Sequence, residues 1–195
     1  NVSAVRSAAI SGRRVAALYG ASPTFIAASA TVADPGPTIA RLLGVEAAVV
    51  DRDDSARGAL DVVLWNPPAL AETSADSQGT GPGFRGTLSE AAELMSGLVD
   101  SNVSTLAFAR SRRAVEVLAG SVRARAANGD RVRGYRGGYL PEERRALEAD
   151  LRSGRLLGLA ATNALELGID ISGLDAVLLL GWPGTRSSFW QQVGR

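Results

Sequence analysis

At 195 residues and 46% hydrophobic, the chain is long enough for one large or two small globular units with a core of their own. It has no cysteine and no histidine, which excludes a disulfide framework, thiolate metal sites and the usual nitrogen ligands of zinc. Its 21 basic residues, all arginine, balance 20 Asp and Glu, and the lack of lysine excludes a phosphate loop of the G-x-x-x-x-G-K-[ST] type.

In chain order, residues 1–18 read as one amphipathic helix or two short ones, followed by a turn at Gly20 to Pro23 and an apolar strand at Thr24 to Ala28. After a turn at Asp34 to Pro37, Thr38 to Leu43 forms a short helix closed by Gly44, and Val45 to Val50 a second strand. The polar stretch DRDDSARG, Asp51 to Gly58, is the linker, and Leu60 to Trp65 opens a new unit as a further strand. Residues 71–87 are small, polar and glycine-rich without periodicity and read as a surface loop. From Leu88 the pattern alternates: helices at Leu88 to Val99, Arg112 to Ala126, Pro141 to Ser153 and Ser187 to Val193, with strands at Ser104 to Ala109, Val132 to Tyr135, Leu156 to Ala161 and Ala176 to Leu180. Short apolar strands separated by such helices specify an α/β fold with a mostly parallel sheet covered on both faces. The longest apolar stretch, Leu174 to Trp182, is too short to cross a bilayer, and no leader opens the chain, so a cytoplasmic location is expected. The first residue is Asn1 rather than methionine, and both ends read as cut from something longer.

Ligands of parallel α/β sheets gather beyond the carboxyl ends of the strands, so the loops after each strand are where chemistry belongs. Those loops carry Ser29 to Thr31, Arg110 to Arg112, Arg136 to Gly138, Thr162 and Asn163 with Gly168 to Asp170, and the segment Gly181 to Arg195. Arg110 and Arg112 flank a strand-to-helix turn whose free N–H groups favour an anion, although a solvated helix start explains them equally well. Paired glycines after Arg136 allow close backbone approach to a ligand. Thr162, Asn163 and Asp170 set a hydroxyl, an amide and a carboxylate along one edge, as phosphate and ribose require; a capped turn is the plain alternative. Residues 1–100 carry 7 Arg against 11 acidic groups and residues 101–195 carry 14 against 9, so the second half is the basic one. That excess suits a phosphate-bearing partner, since guanidinium forks match phosphate oxygens in pairs.

Together the wording SATVADP, TNALELGIDI and GWPGTRSSFWQQVGR resembles motifs III, V and VI of superfamily 2 nucleic-acid helicases, with IV and IVa between them. It resembles in particular the DEAD/DEAH-box branch with a C-terminal four-cysteine zinc domain, whose members are 3′-to-5′ DNA helicases linked to DNA repair. Gln191 to Arg195 is the first half of Q-x-x-G-R-x-G-R, so the chain stops inside motif VI. The resemblance implies RecA-like lobes: residues 1–52 ending the first, 53–57 a linker, and 58–195 most of the second. It implies ATP in the cleft between lobes, with Mg²⁺ ligands mostly outside this segment, and single-stranded or partly duplex DNA as partner. Ser29 and Thr31 would couple hydrolysis to strand movement. Arg110, Arg112, Arg136, Thr162 and Asn163 would hold phosphates of one DNA strand, and Gly168 and Asp170 would meet the ribose side of the nucleotide. Arg195 would be an arginine finger on the γ phosphate with Gln191 beside it.

The segment lacks the Walker lysine and the Asp-Glu box, so hydrolysis is expected of the parent protein and not of this piece, which also lacks the rest of the first lobe and any C-terminal domain. Trp182 and Trp190 lie among apolar neighbours, and core packing is expected for both in preference to stacking on bases. A non-catalytic RecA-like scaffold binding nucleic acid or protein is the competing class; a phosphate-ester hydrolase lacks paired acids or metal ligands at loop positions.

Overall fold

The computed structural model describes residues 12–29, 31–52, 54, 58–67, 85–135, 140–162 and 173–194. The chain divides into two compact units, Asn1–Val62 and Val63–Arg195.

In the first unit α1 covers residues 12–18 and α2 covers Pro35–Leu43. Proline sits in the first turn of α2, where its missing N–H costs nothing, and the helix begins three residues before the expected Thr38. Gly44 closes it at φ 68°, its N–H donating to the Ala40 carbonyl (2.8 Å), a left-handed cap that glycine adopts without strain. The Arg13 guanidinium donates to the Leu43 carbonyl, tying α1 to the end of α2.

The strands expected at Thr24 to Ala28, Val45 to Val50 and Leu60 to Trp65 are not formed; these residues run without regular structure. Ile26 and Val50 are each 93% exposed. A strand exists only as one side of a hydrogen-bonded pair, and no described residue of this unit supplies the other side.

The second unit contains α3 (Thr87–Asp100), β1 (Thr105–Phe108), α4 (Arg112–Arg125), a 3₁₀ turn (Gly129–Arg131), β2 (Val132–Tyr135), α5 (Pro141–Arg152), β3 (Gly158–Ala161), β4 (Ala176–Leu179) and α6 (Arg186–Val193). From Leu88 onward, helix and strand bounds fall within two residues of the sequence expectation. Its strands form a four-stranded parallel sheet in the order β2-β3-β1-β4. The fold is therefore α/β, as expected.

Alternation along the strands feeds two cores, one on each face. Ala107 and Ala160 point to the face covered by α3 and α4, where Met95, Val99, Val115, Leu118 and Val122 are completely buried. Val115, Leu118, Ala119 and Val122 recur at the i, i+3, i+4, i+7 spacing of a single helical stripe. Leu106, Phe108 and Leu159 point to the opposite face, against Leu151 and Leu147 of α5. The missing side chain of Gly158 leaves room for α3 to pack on the sheet, since a Cβ there would stand 2.9 Å from Met95 Cε and 3.2 Å from Val99 Cγ2.

Local chemistry fixes the helix ends. The Ser111 hydroxyl accepts from the Ala114 N–H (3.1 Å) at the start of α4, and Thr185 accepts from the Ser188 N–H (3.0 Å) at the start of α6. Glu143 reaches back to accept from the Leu140 N–H (2.8 Å) ahead of α5. Below the sheet, Asp175 Oδ2 accepts from the Ser104 N–H (3.0 Å) while the Asp175 N–H donates to the Ser104 carbonyl (2.9 Å), locking the entry of β4 to that of β1.

Candidate phosphate and nucleic-acid interface

The register of the sheet brings three of the expected loops to one edge. Phe108 lies opposite both Ala161 and Leu179, so the residues that follow β1, β3 and β4 emerge side by side. The ladder runs past the strand ends: the Ala109 N–H donates to the Ala161 carbonyl (2.8 Å), and the Leu180 N–H to the Phe108 carbonyl (3.0 Å). Arg110 is exposed just beyond β1, Arg112 is the exposed first residue of α4, and Thr162 is half-buried directly after β3. Tyr135, last residue of β2, pairs with Ala161, so β2 ends on the same edge. Arg136, Asn163, Gly168, Asp170 and Arg195 lie outside the described residues.

A small cavity opens on this edge, lined by Phe108, Ala109, Arg110, Leu180, Gly181, Pro183 and Gln192. Its volume of about 130 Å³ is below the several hundred Å³ of sites that hold a whole drug-sized ligand. A cavity of this size can admit a phosphate-sized group beside the guanidinium and amide that line it, but not an entire nucleotide. Among the described residues no group of three or more acidic side chains could hold a metal ion. No described helix is long and apolar enough to cross a membrane.

Gln191 is half-buried in α6, whereas its neighbour Gln192 is 96% buried, with 4% of its surface exposed, and lines the cavity. Motif wording singles out Gln191 and passes over Gln192. The available signal was helical geometry, because Gln192 stands three and four residues after Phe189 and Ser188 and shares their face.

Two tryptophans depart from expectation in the opposite sense. Trp182 is 53% and Trp190 55% exposed, so neither packs in the core. Trp182 sits between Gly181 at φ 85° and Gly184 at φ 101°, a left-handed pair that turns the loop sharply and carries the indole outward. In the first unit, Ser29 is exposed and Thr31 half-buried, and the Thr31 N–H points at the Ser29 hydroxyl (3.4 Å), a local turn.

The fold and this edge define a parallel α/β lobe that presents arginine, hydroxyl and amide groups beyond its strands, as phosphate-binding domains do. Residues 88–195 match the helicase conserved C-terminal domain, and the chain belongs to that family. It is 38% identical over 186 residues to the uncharacterized ATP-dependent helicase YprA of Bacillus subtilis, covering 94% of this chain and 24% of that protein. The ATP-dependent helicase hrq1 of Schizosaccharomyces pombe is 37% identical over 191 residues, 94% of this chain and 18% of that one. The crystal structure of the helicase MrfA bound to DNA and AMPPNP superposes with a TM-score of 0.84 at 36% identity, over 100% of this chain and 27% of that one. The chain thus spans about a quarter or less of the length of these two helicases, YprA and hrq1.

Proposed function

We propose that this chain is the end of the first RecA-like lobe, residues 1–52, a linker at 53–57, and most of the second lobe, 58–195, of an ATP-dependent DNA helicase. The parent couples ATP hydrolysis, with Mg²⁺, to movement along single-stranded or partly duplex DNA. The observation that carries this reading is the shared edge where Arg110, Arg112, Thr162 and the α6 segment meet at the carboxyl ends of in-register parallel strands. The exposed apolar runs of the first unit support its assignment as part of a larger lobe. Relatives named as ATP-dependent helicases, and one seen with DNA and AMPPNP, support ATP and DNA as ligands.

On this reading Arg110, Arg112, Arg136, Thr162 and Asn163 hold DNA phosphates, and Gly168 and Asp170 meet the ribose side of the nucleotide. Ser29 and Thr31 couple the two events, and Arg195 reaches the γ phosphate with Gln191 beside it. The sequence has no lysine for a phosphate loop, so on this reading most of the contacts to ATP and its Mg²⁺ are assigned to other parts of the parent. A cytoplasmic parent with the C-terminal four-cysteine domain and a role in DNA repair completes the proposal.

ATP turnover by the full-length parent, measured with and without single-stranded DNA and then RNA, tests it. Strong stimulation by DNA alone is the expected result; no turnover with either would favour the non-catalytic scaffold.

The phosphate contacts separate by charge. Arg112→Ala should weaken single-strand binding and lower the slope of log K against log salt by about one, as the loss of a cationic phosphate contact does. Thr162→Ala removes a neutral hydrogen bond and should weaken binding by roughly 2- to 12-fold with the slope unchanged. Binding titrations at several salt concentrations check both, and equal slopes for wild type and Arg112→Ala would exclude that contact. Deleting residues 74–84 should leave the unwinding rate unaltered in a fluorescent-duplex assay.

A further inference from the structure

Beyond the phosphate-binding edge, the turn after β4 and helix α6 carry an aromatic cluster to which the reading above gives no role. Trp182 and Phe189 stack with ring centroids 5.5 Å apart and planes 23° from parallel, and Trp190 meets Phe189 edge to face at 5.2 Å. Phe189 is half-buried between them, so it braces two indoles that are each more than half exposed. Ring contacts within the cluster lower the entropy that either indole would lose on taking up a ligand.

The segment that carries these rings bears one sign of charge along the sequence. From Ala176 to Arg195 there is no acidic residue, and the exposed Arg186 opens α6 between the turn and the two α6 aromatics. Arg110 lines the cavity shared with Gly181 and Pro183, the residues on either side of Trp182. Among the described residues neither Arg110 nor Arg186 has an ion-pair partner. Exposed indoles on a turn and helix that also present arginines with no ion-pair partner among the described residues match a ligand that alternates flat apolar rings with anionic groups, which is the chemistry of a single-stranded polynucleotide.

We propose that Trp182 and Trp190 form a base-stacking platform, braced by Phe189, that holds unpaired bases of the bound strand while Arg110 and Arg186 face its phosphates. This rests on the helicase reading and names what reads the bases in a site otherwise devoted to phosphates. Base stacking is indifferent to sequence because every base has a π face, which suits a protein that must travel along any sequence.

The test uses the full-length parent and single-stranded oligonucleotides carrying 2-aminopurine, whose fluorescence reports stacking, in parallel with strands of the same length and charge made of abasic sites. Trp182→Ala and Trp190→Ala should each lower affinity for the base-bearing strand by between about 5-fold and about 150-fold. Each should also alter the 2-aminopurine signal of the complex, while the abasic strand binds wild type and variants alike. Trp182→Phe and Trp190→Phe should recover most of the loss, which guards against a folding defect. Equal affinity of wild type and variants for the base-bearing strand would overturn the platform and leave the helicase reading intact. Equal losses on both strands would also overturn it, as would a loss of affinity for a non-hydrolysable ATP analogue in place of DNA, which would make adenine the stacked ring. Failure of the wild type to bind either strand would overturn both readings together.

Discussion

Replacing Arg195 by alanine in the full-length parent should lower DNA-stimulated ATP turnover by on the order of 10³-fold or more, while affinity for single-stranded DNA stays unchanged. The size follows from the chemistry assigned to it. Phosphoryl transfer spreads charge over the equatorial oxygens in the transition state, and a guanidinium placed there stabilises that state without adding to the binding of the ground state. Arg195 is the next residue in sequence after Gly194, and Gly194 ends α6 with its N–H donating to the Trp190 carbonyl (3.0 Å). Arg195→Lys should recover little, because an ammonium on a flexible stem cannot reproduce the planar fork. Steady-state turnover with saturating DNA, beside an equilibrium titration of the same strand, checks both halves. A variant that loses DNA affinity as far as it loses turnover would remove Arg195 from the finger role and make it a structural or DNA-contacting residue.

The second unit was legible in the sequence because each signal is local or periodic. The stripe Val115, Leu118, Ala119, Val122 needs only the 3.6-residue period, and Ser111 and Thr185 mark helix starts through hydrogen bonds made within three residues. That Arg110 and Thr162 emerge on one edge was legible too, since parallel strands place all their carboxyl ends on one edge whatever their order. What escaped depends on partners. Thr24 to Ala28 and Val45 to Val50 have strand composition, but composition cannot supply the neighbouring strand that pairs with them. The same limit governs Trp182 and Trp190: apolar sequence neighbours suggested burial, yet Leu180 is buried while Gly181 turns the chain and leaves the next indole in solvent. In α6, one residue of helical rotation, about 100°, separates half-buried Gln191 from buried Gln192, a distinction that motif spelling does not carry.

The largest stability effect is expected at Gly129. This buried glycine begins the 3₁₀ turn between α4 and β2, and a Cβ on it would stand 2.5 Å from the Arg123 carbonyl oxygen and 2.8 Å from Arg123 Cα. Those atoms are helix backbone, which cannot swing aside as a side chain would. Nor can the turn withdraw freely: the Asn128 N–H donates to Asp100 Oδ1 (2.9 Å) and the Gly129 N–H to the Ala126 carbonyl (3.1 Å). Gly129→Ala should therefore destabilise the unit by about 3 kcal/mol, the upper end of overpacking costs, and lower the thermal midpoint by roughly 10 °C. Gly120→Ala in α4 makes the opposite control, since its Cβ would meet nothing within 4 Å and alanine is the better helix former by roughly 1 kcal/mol. The two glycines lie nine residues apart in sequence, and the same added methyl group should move the midpoint in opposite directions. Thermal unfolding followed by circular dichroism decides it; an unchanged or raised midpoint for Gly129→Ala would mean that the α4 terminus yields. Because the turn feeds β2, whose end lies on the edge proposed to bind phosphates, a yielding turn should instead appear as weaker DNA binding at normal stability. Melting and DNA affinity measured together thus separate a rigid turn from one that passes its strain to the site.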